Sequence, residues 1–137
     1  MLQKILVAID DSKHARKVVD AATELGKALN GEVVLLHLRE RELSRVGAFD
    51  LESTDEAGDL VDGFVREMKD AGVNARSDVR VTLHGRVAND ILTESKELGA
   101  DLIVMGSRGL SDLSALLLGS VAHRVLHLAE CPVMIVR

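Results

Sequence analysis

Aromatic side chains are almost missing from this 137-residue chain: two Phe, no Trp and no Tyr. That excludes the usual grip on single-stranded nucleic acid, in which bases stack on aromatic rings. Positive charge is short as well. Seventeen Lys and Arg face 22 Asp and Glu, a net charge of −5, so a binder of phosphate backbones is not expected. Cys131 is the only cysteine. It has no intramolecular disulfide partner, and a reducing compartment follows as the expectation. No apolar run approaches the roughly 20 residues of a membrane span, and the first strand-like run starts too early for a signal peptide. The expectation is a soluble, cytoplasmic protein of one domain, residues 1–137, with neither nucleic acid nor membrane insertion among its partners.

What is present is aliphatic. Hydrophobic residues make up 47% of the chain, and they gather in short β-branched runs at Ile5–Ile9, Val33–Leu38, Leu102–Met105 and Val133–Val136. Runs of this length read as strands buried on both faces. Between them the period changes to 3.6. Ala15, Val18, Val19, Ala22, Leu25 and Leu29 fall on one helical face. Ala57, Leu60, Val61, Phe64, Val65 and Met68 form a second, Ala88, Ile91, Leu92 and Leu98 a third, and Val121, Val125 and Leu128 a fourth. Asn30-Gly31, Gly72 and Gly99 supply left-handed helix stops. Ala75 to Leu83 alternates, which predicts a strand with one exposed face near a sheet edge. The order β-α-β-α-β-α-β-α-β predicts a parallel sheet with helices on both faces. The stretch from about Glu40 to Asp55 has no clear period and reads either as a lid or as disorder.

The candidate chemistry lies where the fourth run ends: Asp101-Leu-Ile-Val-Met-Gly-Ser-Arg-Gly109, then nine residues, then Gly119-Ser120-Val121. Gly106 and Gly109 carry no Cβ, so backbone amides there can approach a ligand closely. Gly119-Ser120 opens a helix, whose first amides and dipole suit phosphate. The competing reading is that these glycines only make turns. Arg108 sits in the loop and either pairs with a phosphate or is solvated. Asp10 ends the first strand, at the sheet edge where doubly wound folds bind ligands. It can accept hydrogen bonds from ribose hydroxyls, while Asp11 or Ser12 caps the next helix.

The spacing Gly106-x2-Gly109-x9-Gly119-Ser120 resembles the ATP-binding signature of universal stress proteins. So do Ile5-Leu-Val-Ala-Ile-Asp10, Val33-Val-Leu-Leu-His37, Asp101–Gly106, Leu118–Val121 and Cys131-Pro-Val-Met-Ile-Val136. The resemblance implies an α/β, Rossmann-like fold of the adenine nucleotide alpha hydrolase type: a five-stranded parallel sheet of order 3-2-1-4-5. It implies ATP, with or without Mg²⁺ on its phosphates, between strands 1 and 4. Ala8, Ile9 and Leu38 would line adenine, and Asp10 would meet ribose or adenine. Met105, Gly106, Gly109, Gly119, Ser120 and Val121 would meet ribose and phosphates. Asp11 departs from a frequent glycine, and Asp112 adds a negative charge to the phosphate-side loop.

There is no Gly-x4-Gly-Lys-[Ser/Thr] and no evident general base. The function expected is therefore a nucleotide-dependent regulator in a stress response, acting on an unknown protein partner. The alternatives are a slow ATPase, or an interaction module that binds no nucleotide. His123 and His127, four apart, read as a solvated face in preference to a metal site. The apolar run Val133–Val136 falls at a sheet edge in this topology. Pairing there with a second copy predicts a homodimer; cover by a loop is the alternative.

Overall fold

The computed structural model describes residues 2–10, 14–44, 47–50, 54–107 and 118–137, with the side chains of these except 41–44, 47–50 and 54–57. Among the described residues, six strands and four helices run in the order β1 (Lys4–Ile9), α1 (Ala15–Leu29), β2 (Glu32–Ser44), β3 (Gly47–Asp50), α2 (Thr54–Asp70), β4 (Asn74–Leu83), α3 (Val87–Leu98), β5 (Leu102–Gly106), α4 (Ser120–Leu128) and β6 (Val133–Val136). β4, β2, β1, β5 and β6 lie side by side, every neighbouring pair parallel. Counted over the five strands expected from the sequence, that is the order 3-2-1-4-5.

The centre of the sheet is fully dry. Ile5, Leu6 and Val7 of β1 are each no more than 1% exposed, and burying a side chain of this size contributes about 1.5–3 kcal/mol. Alternation sends Ile5, Val7 and Ile9 into the layer beneath α1 and α2, with Val18, Val19, Val61, Phe64 and Met68. Leu6 and Ala8 go to the opposite layer beneath α3 and α4, with Ile91, Ala122 and Val125.

Several expectations are corrected. The stretch read as a lid or disorder carries regular structure: β2 continues to Ser44, and β3 pairs antiparallel with it, Arg41 opposite Asp50 and Ser44 opposite Gly47. Backbone pairing, which leaves no apolar signature, builds this ribbon. Asn30 itself takes the left-handed conformation that ends α1 (φ 50°). Gly31 has a different reason to lack a side chain, because a Cβ there would lie 2.9 Å from the Gln3 carbonyl oxygen. Gly72 and Gly99 do have positive φ. β4 is at the edge as expected, but its apolar side is covered only at its start: Ala75 is buried, whereas Val79, Val81 and Leu83 are exposed. Leu29 and Leu128, the last residues of α1 and α4, are also exposed.

A polar fastener sets the opposite end of the sheet from the strand C-termini. The Asp101 carboxylate accepts from the amides of Gln3 (3.0 Å) and Lys4 (2.9 Å), and the Asp101 amide donates to the Lys4 carbonyl (2.8 Å). These bonds align the starts of β1 and β5. The amide donors hold the Asp101 carboxyl below its ordinary pKa. A carboxyl depressed in the fold stabilises above its unfolded pKa and loses that contribution as pH falls through its folded value. Asp101→Asn is therefore expected to be less stable than the parent at pH 7 in urea unfolding. The gap should narrow as pH falls through the carboxylate range and close once the Asp101 carboxyl is protonated in the folded state as well.

Candidate functional site

At the C-terminal ends of the strands, β1 lies between β2, reached through α1, and β5, reached through α3 from the far edge. The connecting helices leave on opposite faces of the sheet, so a crevice opens here. It forms a cavity of about 580 Å³, within the usual range of roughly 300–1,000 Å³ for small-molecule sites.

Each wall has a local cause. The β1–β2 ladder ends at Ile9 opposite His37, and the β1–β5 ladder ends at Ala8 opposite Met105. Neither ladder continues past those pairs, so the seam opens at the level of Asp10 and Leu38. Leu36 and Leu38 line the cavity because they share the parity of Leu6 and Ala8, toward α3 and α4. Ala88 and Ile91 of α3 complete this apolar end. His37, of opposite parity, is buried on the other face. Its Nδ1 lies 2.9 Å from the Ile9 carbonyl and donates, since a carbonyl only accepts.

The turn before α3 is held by the Thr82 hydroxyl, which donates to the Asp90 carboxylate, and by the Arg86 amide on the Leu83 carbonyl. Gly85 takes φ 87° in that turn. This geometry brings His84 to the rim, where its Nδ1 is 2.8 Å from Glu40 Oε2.

The third wall is the start of α4. Gly119 is the N-cap, in extended conformation, and no side chain caps the helix. The Gly119 amide donates to the Ser107 carbonyl (2.6 Å), and the Ser107 amide to Val136 (3.0 Å). The amides of Ser120, Val121 and Ala122 donate to no described residue, as expected in a first helical turn. Leu118, Gly119, Ser120, Val121 and Ala122 all line the cavity. The site thus has an apolar end against β2 and α3, and a donor-rich end at α4. Such a donor-rich end attracts anions, an effect of about 0.3–1 kcal/mol when exposed and up to about 2 when partly buried.

Of the sequence candidates, Ala8, Ile9, Asp10, Leu38, Met105, Gly106, Gly119, Ser120 and Val121 converge on this one cavity. Arg108 and Gly109 lie outside the described residues, as do Asp11, Ser12 and Asp112. The position before α1 is His14, which makes no capping bond. Gly119 departs in one respect: its amide is already engaged within the chain, so the donors open to a ligand begin at Ser120. Missed by the sequence reading were Glu40, His84 and Arg124. The strand parity that selects Leu38 also selects Glu40, and would have found it. The His123 and His127 rings stack with centroids 6.3 Å apart, on an exposed helix face. Among the described residues no three His, Cys, Asp or Glu side chains gather as a metal would need. No described helix is long and apolar enough to cross a membrane.

Known proteins resemble this chain in sequence and fold. Residues 1–137 match the universal stress protein family. Universal stress protein YxiE of Bacillus subtilis is 35% identical over the full length of both chains. The solved structure of MJ0577 from Methanocaldococcus jannaschii superposes with a TM-score of 0.81 at 25% identity, covering 99% of this chain and 96% of that one. A universal stress protein from Archaeoglobus fulgidus, solved in complex with dAMP, shares the fold over the whole of both chains, with a TM-score of 0.74 at 22% identity. The family match along the whole sequence and the 35% identity to a full-length relative, on a fold shared with solved members, establish that this chain belongs to the universal stress protein family.

Proposed function

We propose that the chain binds an adenine nucleotide, ATP in the first place, and works as a nucleotide-dependent regulator in a stress response. One observation carries the reading: three first-turn amides of α4, engaged by no described residue, border a cavity whose other end is apolar. Those ends suit the two halves of a nucleotide. Leu36, Leu38, Ala8 and Ile91 offer surface to a purine, and the seam-facing backbone edge of Leu38 can read its polar rim. Asp10 accepts from ribose hydroxyls. Ser120 and Val121 donate to phosphate oxygens, beside Met105 and Gly106. The dAMP complex of the Archaeoglobus protein supports the same ligand class on this fold. A divalent cation, where present, would be carried by the phosphates and would neutralise part of their charge. The reading assigns no catalytic residue.

A site of this kind is tested by what it retains and releases. Protein purified without added ligand, then denatured, should release adenine nucleotide, and calorimetric titration of the emptied protein should show saturable ATP binding. Gly119→Val fills the cavity wall at φ −61° and ψ 155°, a backbone geometry that any residue adopts. It should keep the parent circular dichroism spectrum and lose at least about tenfold in affinity, roughly 1.4 kcal/mol. Turnover should stay below about 1 per second, the lower end of ordinary enzyme rates. No nucleotide in either assay would leave an interaction module, and faster turnover an ATPase.

We also propose that two copies pair through β6. Its only strand neighbour among the described residues is β5. Met134 is 39% exposed on it, and Leu126 and Leu128 of the preceding α4 are 49% exposed. An open apolar edge of this kind invites a further strand. Light scattering behind a sizing column should give twice the chain mass at micromolar concentration, and Met134→Asp should give the single mass. A parent protein that is monomeric at every concentration would contradict the pairing.

A further inference from the structure

Arg124 stands one helical turn beyond Ser120 and lines the same cavity. Residues four apart share a helix face, and side chains of a helix lean back toward its N-terminus. The guanidinium is therefore carried toward the turn whose amides border the pocket. It is also fixed. Arg124 Nε donates to Asn89 Oδ1 of α3 at 3.1 Å, so one planar group spans the two helices that flank the cavity. A guanidinium has five N–H donors. With Nε engaged by Asn89, Nη1 and Nη2 donate to no described residue.

The charge balance gives this geometry its meaning. Among the described residues lining the cavity, the carboxylates are Asp10 and Glu40, with Glu40 against His84. Arg124 is the only Lys or Arg among them. A cavity walled by two carboxylates repels an anion unless something offsets them. The α4 amides carry partial charges; Arg124 carries a full one, in a planar fork that matches two phosphate oxygens. We propose that Arg124, oriented by Asn89, is the specificity-determining residue of the pocket, selecting nucleotides by the number of their phosphate charges. The proposal rests on the nucleotide reading above and adds a ranking to it: triphosphate ahead of monophosphate, and cyclic monophosphate and nucleoside behind.

Competition titrations with ATP, AMP, cyclic AMP and adenosine test it on the parent and on Arg124→Gln, Arg124→Lys and Asn89→Ala. Arg124→Gln should weaken ATP about tenfold and leave adenosine within about twofold. Arg124→Lys keeps the charge without the fork and should recover part of the ATP loss. Asn89→Ala should give a smaller loss confined to the phosphorylated ligands. The salt dependence of ATP binding should be shallower in Arg124→Gln than in the parent, because one cationic contact is gone. Equal losses for ATP and adenosine would make Arg124 a packing residue and overturn the proposal, as would unchanged ATP affinity. A parent protein that binds none of the four would overturn the nucleotide reading along with it; a parent that binds ATP while Arg124→Gln binds it equally well would overturn this proposal alone.

Discussion

The hydrogen bond from the Gly119 amide to the Ser107 carbonyl holds the functional end of the molecule together. It fastens the N-cap of α4 to the residue that follows β5, and Ser107 is itself held by Val136 of β6. Two strand ends and one helix start thereby meet at a point. One donor is used internally, and the next three amides are presented to the cavity in a set direction. Preorganisation of this sort lowers the ordering cost of binding. The glycine serves by leaving room at the cap, while the amides left open toward the cavity come from the residues after it.

The parallel sheet makes that point a site. β1 is buried on both faces, and its two neighbours are reached by helices on opposite sides, so the strand order reverses beside it. The ladders stop at Ile9 and Ala8, and the cavity lies at that end of the strands. Asp101, at the far end of the same strands, keeps the register that decides where those ladders stop. The two ends of the sheet differ: amide–carboxylate bonds align the strands at one, and the first-turn amides of α4 border the cavity at the other.

Much of this was legible in the residues, and the reasons differ by element. Unbroken aliphatic runs announced β1, β2 and β5, which are covered on both faces, and also β6, where the same signal overstates the cover because Met134 is exposed. Helical faces such as Val61, Phe64, Val65 and Met68 were equally clear. The β2–β3 ribbon was not, because backbone pairing needs no apolar period and Arg41 and Glu42 carry none. The exposure of Val79, Val81 and Leu83 was hidden as well: alternation reveals which residues share a face, not how far the covering helix reaches. In the site, glycine spacing pointed to the donor end, but the internal bond of Gly119 depends on where Ser107 falls in space. Arg124 lies between His123 and His127, whose spacing reads as a solvated face, and nothing in that spacing points to a cavity. A concave site takes in residues from both flanks of a helix, and no single-helix periodicity can express that.

The central claim is that the first-turn amides of α4 are the anion receptor. Amide ¹H–¹⁵N spectra recorded during an ATP titration test it most directly. Saturable downfield shifts at Ser120, Val121 and Ala122, with a smaller change at Gly119 because its amide is already engaged, would bear the account out. Saturable shifts elsewhere with these three unmoved would contradict it.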